Sequence, residues 1–282
     1  GAFSAAVSIL GGSSVSDGIF TGDLTIAGGA VSGGDYSALS SLVIGPTYLW
    51  NYDTAVGGSV SNLGTISAGT FSGAVENGIF GDPEMLGTIN GGTYSGMVTN
   101  NGTISAGTFG GSVYNQLGSI SGGMFNGSIW SDFGSISNGT FNGDVDGWVG
   151  TISGGTFNGA VTIGSDIGMG SGIISGGQFN STVSTRTDGI INGGTFDGAV
   201  TNNYIINNGL FNSTVNNTNG TINDGNFTAI TQAMAGGIIN GGTFLSAGYT
   251  IAGLISGLGS GISVALSLDG GTPVTTTTTD EN

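Results

Sequence analysis

Residues 150–161 read Gly-Thr-Ile-Ser-Gly-Gly-Thr-Phe-Asn-Gly-Ala-Val, and close variants of this stretch recur along most of the chain. The commonest distance between consecutive copies is 16 residues, and two longer distances of 23 and 22 residues indicate inserted loops. Clear copies begin at Gly64, Gly87, Gly102, Gly118, Gly134, Gly150, Gly172, Gly189, Gly220 and Gly237, and a degenerate copy begins at Tyr204. A short unit repeated at a fixed period is typical of a repeat protein, in which each unit buries its apolar side against its neighbours.

The unit at Gly150 predicts a coil with three inward-facing positions. Ile152 lies between two hydroxyl residues, which predicts a short strand with Ile152 facing inward. Gly154 and Gly155 follow, and glycine supplies the positive φ that a sharp corner needs. Phe157 and Val161 are the next two inward positions, and the residues after Val161 are interpreted as a variable connection.

Stacked coils would align these positions into ladders of like residues. Such regular apolar ladders are predicted to form the core, because these residue types are the ones most often buried. The Ile ladder contains Ile66, Ile89, Ile104, Ile120, Ile136, Ile152, Ile174 and Ile191, and continues to Ile206, Ile222 and Ile239. The aromatic ladder contains Phe71, Tyr94, Phe109, Phe125, Phe141, Phe157, Phe179 and Phe196, and continues to Phe211, Phe227 and Phe244.

The predicted fold is all-β, a parallel β-solenoid (β-helix) with coils of ~16 residues. Helices are disfavoured because the chain contains 61 glycines. The predicted organisation is an N-terminal strand segment (1–17), solenoid repeats (18–250), and a C-terminal strand segment with a Thr-rich tail (251–282).

The Gly-Thr-Ile-Ser-Gly-Gly-Thr-Phe-Asn-Gly-Ala-Val motif and its variants resemble secreted β-solenoid repeat proteins of the adhesin and extracellular-filament kind. The resemblance covers about four-fifths of the chain. It implies surface display, adhesion or fibre formation.

Charge and composition exclude several function classes. The chain has 17 acidic residues, one basic residue (Arg186) and no His, giving a formal charge of −16. Nucleic acids and anionic membranes are therefore not expected partners, because binding them requires Lys and Arg. Cys is absent, which excludes disulfides and thiolate metal sites. With this inventory we expect no catalysis, no cofactor and no metal site, and the scattered Asp132, Asp144 and Asp146 are interpreted as surface acids.

The two ends of the chain alternate apolar and small residues like strands. At the N-terminus the alternating residues include Phe3, Val7 and Ile9. At the C-terminus they are Ile262, Val264, Leu266 and Leu268. An open solenoid end exposes unpaired strand edges. These segments are therefore predicted either to join subunits end to end by strand addition or to fold back as caps on the same subunit.

The uncharged stretch from Thr250 to Leu268 also allows an alternative interpretation as a membrane span. Its alternation from Ile262 onward favours a strand instead.

Side chains in the variable connection are candidates for contact with partners. Tyr114, Trp130, Phe133 and Trp148 are predicted to form one aromatic stripe along an edge of the stack. This stripe could contact another subunit, bind glycan, or simply shield the core. Sequences that accept N-linked glycans occur at Asn101, Asn126, Asn138, Asn180, Asn212, Asn216, Asn219 and Asn226.

The sequence thus predicts a secreted, non-enzymatic structural protein that assembles with copies of itself into a filament or surface fibre. The start at Gly1 fits a chain from which a signal peptide has been removed. The main alternative is a monomeric or surface-tethered adhesin that binds a cell-surface glycan or another cell through the aromatic stripe. A lesser alternative is ice binding by the outward Thr and Ser residues beside the Ile ladder.

Overall fold

The computed structural model describes residues 1–4, 7–9, 14–20, 23–27, 30–35, 41–45, 59–229, 231–234, 236–244, 263–266 and 274–277. The described residues up to 244 form a parallel β-solenoid of about 12 turns with coils of about 16 residues, and the described part of the chain contains no helix. The predicted fold class is confirmed. Contact clustering divides the chain into two compact units, Gly1–Tyr249 and Thr250–Asn282.

Each coil contributes strands to three parallel columns. The first column carries the Ile ladder and consists of Ser14–Val15, Ala30–Val31, Thr65–Ile66, Thr88–Tyr94, Thr103–Phe109, Ser119–Ile120, Ser135–Ile136, Thr151–Ile152, Ile173–Ile174, Ile190–Ile191, Ile205–Ile206, Thr221–Ile222 and Ile238–Ile239. The second column carries the aromatic ladder and consists of Ala2–Phe3, Ile19–Phe20, Thr70–Phe71, Met124–Phe125, Thr140–Phe141, Thr156–Phe157, Gln178–Phe179, Thr195–Phe196, Leu210–Phe211, Asn226–Phe227 and Thr243–Phe244. Thr88–Tyr94 and Thr103–Phe109 continue round the corner and also belong to the second column.

The third column consists of Val7–Ile9, Asp23–Ala27, Ser41–Gly45, Ser59–Asn62, Val75–Asn77, Val98–Asn100, Val113–Asn115, Ile129–Ser131, Val145–Gly147, Val161–Ile163, Val183–Thr185, Val200–Asn202, Val215–Thr218 and Thr231–Met234. A separate antiparallel hairpin pairs Ser263–Leu266 with Val274–Thr277.

The register places like residues on top of one another. Ile120 pairs with Ile136 in the first column, and Phe125 pairs with Phe141 in the second. The Ile ladder from Ile66 to Ile222 is 0–2% exposed, and Phe71 to Phe227 are equally buried. The spacing of inward residues in the sequence is therefore the spacing of one coil, and the core is a set of parallel columns rather than one central cluster.

The aromatic rings stack face to face along the second column. Ring centroids from Phe71 to Phe227 lie 4.6–5.0 Å apart with planes within 7–9° of parallel. Carbon atoms in contact lie about 3.5–4 Å apart, so these centroid distances describe offset stacks, which aromatic quadrupoles favour. The strand spacing of about 4.8 Å sets this offset, because each ring is displaced from the next by one coil.

Tyr94 is the one tyrosine in the described aromatic ladder and is 1% exposed. Its hydroxyl donates a hydrogen bond to the Gly91 carbonyl at 2.8 Å. Burial raises the pKa of Tyr94 far above that of an exposed tyrosine.

This burial predicts a component of stability that disappears at alkaline pH. Above the ordinary tyrosine pKa of about 10, the unfolded chain loses this proton while the folded chain keeps it, so the free energy of unfolding falls as pH rises. We expect Tyr94→Phe to remove this component and to change stability at pH 7 by about 1 kcal/mol or less. Denaturant unfolding between pH 8 and pH 11 measures both values. If the free energy of unfolding of the variant fell with pH as steeply as that of the parent protein, the result would contradict the assignment.

Glycines at the first corner serve two different physical needs. Gly155 has φ of +110°, as the predicted corner requires, and equivalent glycines recur in coil after coil. Gly154 meets a spatial limit instead, because an added Cβ would lie 2.3 Å from the Ser137 carbonyl oxygen of the preceding coil. The paired glycines therefore set both the turn and the close approach of successive coils.

The third column contains a buried Asn ladder that the sequence interpretation missed. Residues after the inward Val were interpreted as a variable connection, but they continue as a strand whose third residue faces inward again. Asn62, Asn77, Asn100 and Asn115 are all 0% exposed. The side-chain nitrogen of each of the first three donates to the side-chain oxygen of the next Asn at 2.6–2.8 Å. Asn115 ends this run on Ser131 at 3.2 Å. Buried amides are thus satisfied by stacking, as the cost of an unpaired polar group requires.

A second run of the Asn ladder follows after an interruption by Gly147 and Ile163. The Thr185 hydroxyl donates to Asn202 at 3.2 Å, and Asn202 donates to Asn217 at 2.7 Å. The opening glycines Gly118, Gly134 and Gly220 make room for these amides. A Cβ on Gly118 would lie 2.1 Å from the Asn100 amide nitrogen.

The N-terminal segment stacks on the same subunit as a further coil. Ala2–Phe3 pairs in parallel with Ile19–Phe20, and Val7–Ile9 pairs with Leu24–Ile26. The Phe3 ring stacks on Phe20 at 5.0 Å, and Val7 packs against the core. The solenoid therefore begins at Ala2 rather than at residue 18.

At the C-terminus, Val264 and Leu266 lie in the hairpin, opposite Thr276 and Val274. Ile262 and Leu268, which the sequence placed in the same strand, lie outside the described residues. Val274–Thr277, which includes the first residues of the Thr-rich tail, is the partner strand of this hairpin.

Candidate functional site

The outward surface of the third column differs from the other two by carrying large aromatic and charged residues. In each three-residue strand the middle side chain faces away from the core, as the buried–exposed–buried pattern of Ile129–Ser131 illustrates. Tyr114 pairs in register with Trp130, and Trp130 pairs with Asp146. Three successive coils therefore place a phenol, an indole and a carboxylate in one row.

The four residues of the predicted aromatic stripe fall into three neighbouring rows. Tyr114 and Trp130 share the strand row. The Phe133 N–H donates to the Gln116 carbonyl at 3.0 Å, which sets Phe133 beside Leu117 in a corner row. The Trp148 N–H donates to the Ser131 carbonyl at 2.9 Å, which sets Trp148 beside Asp132 in the row between them.

These side chains are open to solvent. Trp130 is 47% exposed, Phe133 48% and Trp148 37%, whereas Tyr114 is half-buried. Leu117 is also exposed. Solvent thus reaches both indoles, and large apolar side chains clustered in this way are typical of surfaces that contact a partner.

The acidic side chains near these aromatic residues each have an identified partner within the chain. The Tyr114 hydroxyl donates a short hydrogen bond to Asp132, and this bond is the main reason that the pKa of Tyr114 is raised. The Asp144 carboxylate accepts from the Ala160 N–H at 2.9 Å. Asp146 accepts two bonds from Arg186, both at 2.7 Å.

Arg186 fastens the inserted loop of residues 164–171 to the solenoid. Besides its two bonds to Asp146, its guanidinium donates to the Gly164 carbonyl at 2.9 Å and lies 3.7 Å from Asp166. The bond to Asp146 is the main reason that the pKa of Arg186 is raised, although partial burial opposes this rise. Asp188 accepts a short bond from the Ser165 N–H, and the Thr187 hydroxyl donates to the Ser165 carbonyl at 3.1 Å. The only basic side chain of the protein therefore holds this loop against the third column, where it is paired with Asp146, 40 residues earlier in the sequence.

The clamp presents apolar residues at the loop tip. Ile167 is 64% exposed and Met169 57%. Below the tip, Gly170 lies close to Val149, where an added Cβ would come within 2.8 Å of a Val149 methyl group.

We expect breaking this clamp to expose the chain to trypsin, because Arg186 is the only Lys or Arg. Asp146→Asn removes the bidentate ion pair of a partly exposed group, worth about 1 kcal/mol, and should speed cleavage after Arg186 about fivefold. Gel analysis of a digestion time course would follow the loss of full-length chain.

Asp224→Asn is a matched control for this digestion. Asp224 accepts from the Gly225 N–H at 2.8 Å, and Asn138 makes the same bond to Gly139 in another coil. Equal cleavage rates for the two variants would contradict a clamp at Arg186.

Two shallow depressions flank Asp146 and share Thr162. One, of about 280 Å³, is lined by Ser128, Ile129, Trp130, Asp144, Val145, Asp146, Ala160 and Thr162. The other, of about 350 Å³, is lined by Thr162, Asp166, Ser184, Thr185, Arg186, Thr187, Asn203 and Asn219. Their linings combine an indole, hydroxyls, amides and charged groups.

The candidate glycan acceptors differ in access. Six are exposed: Asn126, Asn138, Asn180, Asn212, Asn219 and Asn226. Asn216 is half-buried, and Asn101 is only 4% exposed, with its amide directed to the Gly78 carbonyl at 3.4 Å. Asn101 is thus not accessible in the folded chain. Asn126 and Asn180 are the ends of an exposed amide row with Asn142 and Asn158, joined at 2.7–2.8 Å.

Outward hydroxyls beside the Ile ladder bond to the neighbouring coil. The Ser121, Ser137 and Ser153 hydroxyls approach carbonyl oxygens of the preceding coil at 3.4–3.5 Å. Ile173, Ile190 and Ile205 continue the Thr151 row as half-buried apolar residues. Ice binding by this surface stays a prediction, and thermal hysteresis measures it.

The described ranges contain no group of three or more His, Cys, Asp or Glu side chains arranged to hold a metal ion. No helix in the same ranges is long and apolar enough to cross a membrane. Comparison with protein-family models, with curated proteins and with solved structures finds no match for this chain.

Proposed function

We propose that this chain is an extracellular structural protein whose solenoids join end to end into a filament by strand addition. The observation that carries the proposal is the solvent exposure of the Ile ladder at its C-terminal end. Ile239 is 37% exposed and its neighbour Ile238 is 53% exposed, whereas the earlier members of the ladder are 0–2% exposed. Among the described strands, Ile238–Ile239 pairs only with Thr221–Ile222.

The opposite end offers a surface of matching pattern. Ala2–Phe3 and Val7–Ile9 stack in parallel on the next strands of the second and third columns, and Phe3 at this end is 43% exposed. The described coils stack in parallel, so these two strands of one copy have the pattern of further second- and third-column strands for another copy. Contacts between unlike ends do not close on themselves and therefore generate an open filament.

The charge of the chain favours axial over lateral assembly. A formal charge of −16 with one basic side chain leaves the sides of two solenoids facing each other with like charges. Backbone pairing and apolar stacking at the ends require no opposite charges. Lateral bundling is expected only where acid or high salt removes or screens this negative charge.

Substituting one exposed Ile at the end tests this proposal. We expect Ile239→Asp to reduce assembly at least tenfold, because a buried carboxylate at the joint would cost well over 1.4 kcal/mol. Sedimentation velocity over a concentration series would report the loss of large species. Ile167→Asp is the matched control, since it places the same change on an exposed loop at the side of the stack. Assembly that resists the first change but not the second would indicate lateral contacts and would refute joining at the ends.

The second candidate function is adhesion. It is favoured by the exposed indoles of Trp130 and Trp148, which an assembly through the ends does not use. An adhesin would remain monodisperse as single solenoids and would bind a cell-surface glycan or another cell through this surface.

A further inference from the structure

The two exposed indoles of the third column each lie beside a carboxylate. Trp130 pairs in register with Asp146, and Asp144 precedes Asp146 by two residues in the same coil. Trp148 lies beside Asp132 in the neighbouring coil, as the bond from the Trp148 backbone N–H to the Ser131 carbonyl shows. We name this surface, made by Trp130, Trp148, Asp132, Asp144 and Asp146, the Trp–Asp face.

The Trp–Asp face contains a depression at its centre. The cavity of about 280 Å³ places the Trp130 indole, the Asp144 carboxylate and the Thr162 hydroxyl in one lining. Trp130 is 47% exposed at this position. A side chain of a partner could therefore lie on the indole and reach a carboxylate at the same time.

The carboxylates of this face differ in whether a positively charged side chain is paired with them. Arg186 neutralises Asp146 through two bonds of 2.7 Å. The Asp144 and Asp132 partners are neutral donors, the Ala160 N–H and the Tyr114 hydroxyl. These two carboxylates, each near an indole, therefore remain negative in a protein of formal charge −16.

We propose that the Trp–Asp face binds a basic segment of another protein, with Lys or Arg side chains lying over Trp130 and Trp148 and bonded to Asp144 and Asp132. A cation over an indole is attracted by the ring quadrupole, and a nearby carboxylate adds a charge-assisted hydrogen bond. Another copy of this chain does not fit, because its one basic side chain is already held by Asp146 and Asp166. Anionic glycans and nucleic acid are repelled, and a neutral glycan lacks the positive charge that complements the two carboxylates.

The protein's own tryptophans report on binding. Two of its three tryptophans, Trp130 and Trp148, belong to the face, and the third is Trp50. The probes are a decapeptide of alternating Lys and Ser, the same peptide with Gln in place of Lys, and a neutral hexamer of β-1,4-linked glucose. We expect the Lys peptide alone to change the fluorescence of a Trp50→Phe protein, with an affinity that falls as salt rises.

Variants separate a specific face from diffuse charge. Trp130→Ala and Asp144→Asn should each weaken the Lys peptide about three- to thirty-fold, the range expected for one cation–π contact or charge-assisted bond. Asp224→Asn removes the same charge from an exposed site on another surface and should change affinity less than twofold. Phe80→Ala, at 55% exposure in a distant loop, is the control for loss of an exposed ring. Circular dichroism of each variant verifies that it is folded.

Three results would overturn this inference. Equal weakening by Asp144→Asn and Asp224→Asn would mean that net charge alone attracts the peptide. Undiminished binding by a Trp130→Ala/Trp148→Ala double variant, measured by isothermal titration calorimetry because this variant lacks both reporter indoles, would mean that the indoles take no part. A fluorescence change with the glucose hexamer and none with the Lys peptide would identify the face as a glycan site. The inference does not depend on end-to-end assembly, because the face lies on the side of the stack.

Discussion

Replacing Phe141 with Ala should lower the free energy of unfolding by about 4 kcal/mol, the cost typical of deleting a fully buried ring. Phe141 is 0% exposed and stacks on Phe125 at 4.9 Å and on Phe157 at 4.6 Å. Phe125 and Phe157 would each lose a stacking partner. Backbone pairing keeps their strands at a fixed distance, so the neighbouring rings cannot move in to fill the cavity. The loss is therefore expected near the middle of the range for such substitutions rather than at its lower end.

Phe133→Ala is the control for this measurement. Phe133 is 48% exposed and its removal should change stability by no more than about 0.5 kcal/mol. Repeat arrays depart from two-state unfolding, so hydrogen exchange of the coils around residue 141 is the suitable measurement. Similar protection in both variants would contradict a continuous aromatic core.

Replacing Asn100 with Ala is expected to cost about 3 kcal/mol, although the residue is polar. Asn100 accepts from Asn77 at 2.7 Å and donates to Asn115 at 2.8 Å. Truncation leaves one N–H of the Asn77 amide and the side-chain oxygen of Asn115 without their buried partner, and each loss carries a desolvation cost of about 1–3 kcal/mol. Asn77 keeps its other bond, to the Thr103 carbonyl at 3.2 Å. The glycine at 118 offers no side chain to fill the space.

Asn142→Ala is the matched control for Asn100→Ala. Asn142 makes the same amide-to-amide bonds, at 2.8 Å on both sides, but on the exposed surface. Water replaces the lost bonds there, so the change should be within about 0.5 kcal/mol. Equal destabilisation by the two substitutions, measured by hydrogen exchange, would show that the Asn ladder contributes no more than a surface row.

The fold could be predicted because the residues that form its core repeat at one period. Ile, then the corner glycine, then the aromatic residue keep a fixed spacing within each unit, and insertions fall between units rather than inside them. A strand period of two places Ile152 inward, and stacking aligns the rest. The same reasoning extends to Val161, which is buried in the third column.

The Asn ladder was missed because its period is broken and its residues are polar. Asn62, Asn77, Asn100 and Asn115 stand two residues after an inward Val, but Ser131, Gly147 and Ile163 occupy this position in the coils that follow. Burial of an amide is favourable only when coils stack it on another amide. The spacing Val-x-Asn was the available signal, together with the glycine that follows it.

The outward surface of the third column could also be predicted only in part, but for a different reason from the Asn ladder. Trp130 and Trp148 were identified from their residue type, but their separation into rows depends on how each strand ends at the corner. The ion pair of Asp146 with Arg186 spans one inserted segment and 40 residues, so no local pattern reveals it. Long-range contacts of this kind follow from register, which the structure supplies.

Negative-stain electron microscopy of the purified protein at neutral pH is the most direct test of end-to-end assembly. The proposal predicts unbranched threads of uniform width whose length increases with protein concentration and which are lost in Ile239→Asp. Isolated short rods at every concentration, unchanged by that substitution, would contradict joining at the ends and would leave the side surface as the place to seek a function.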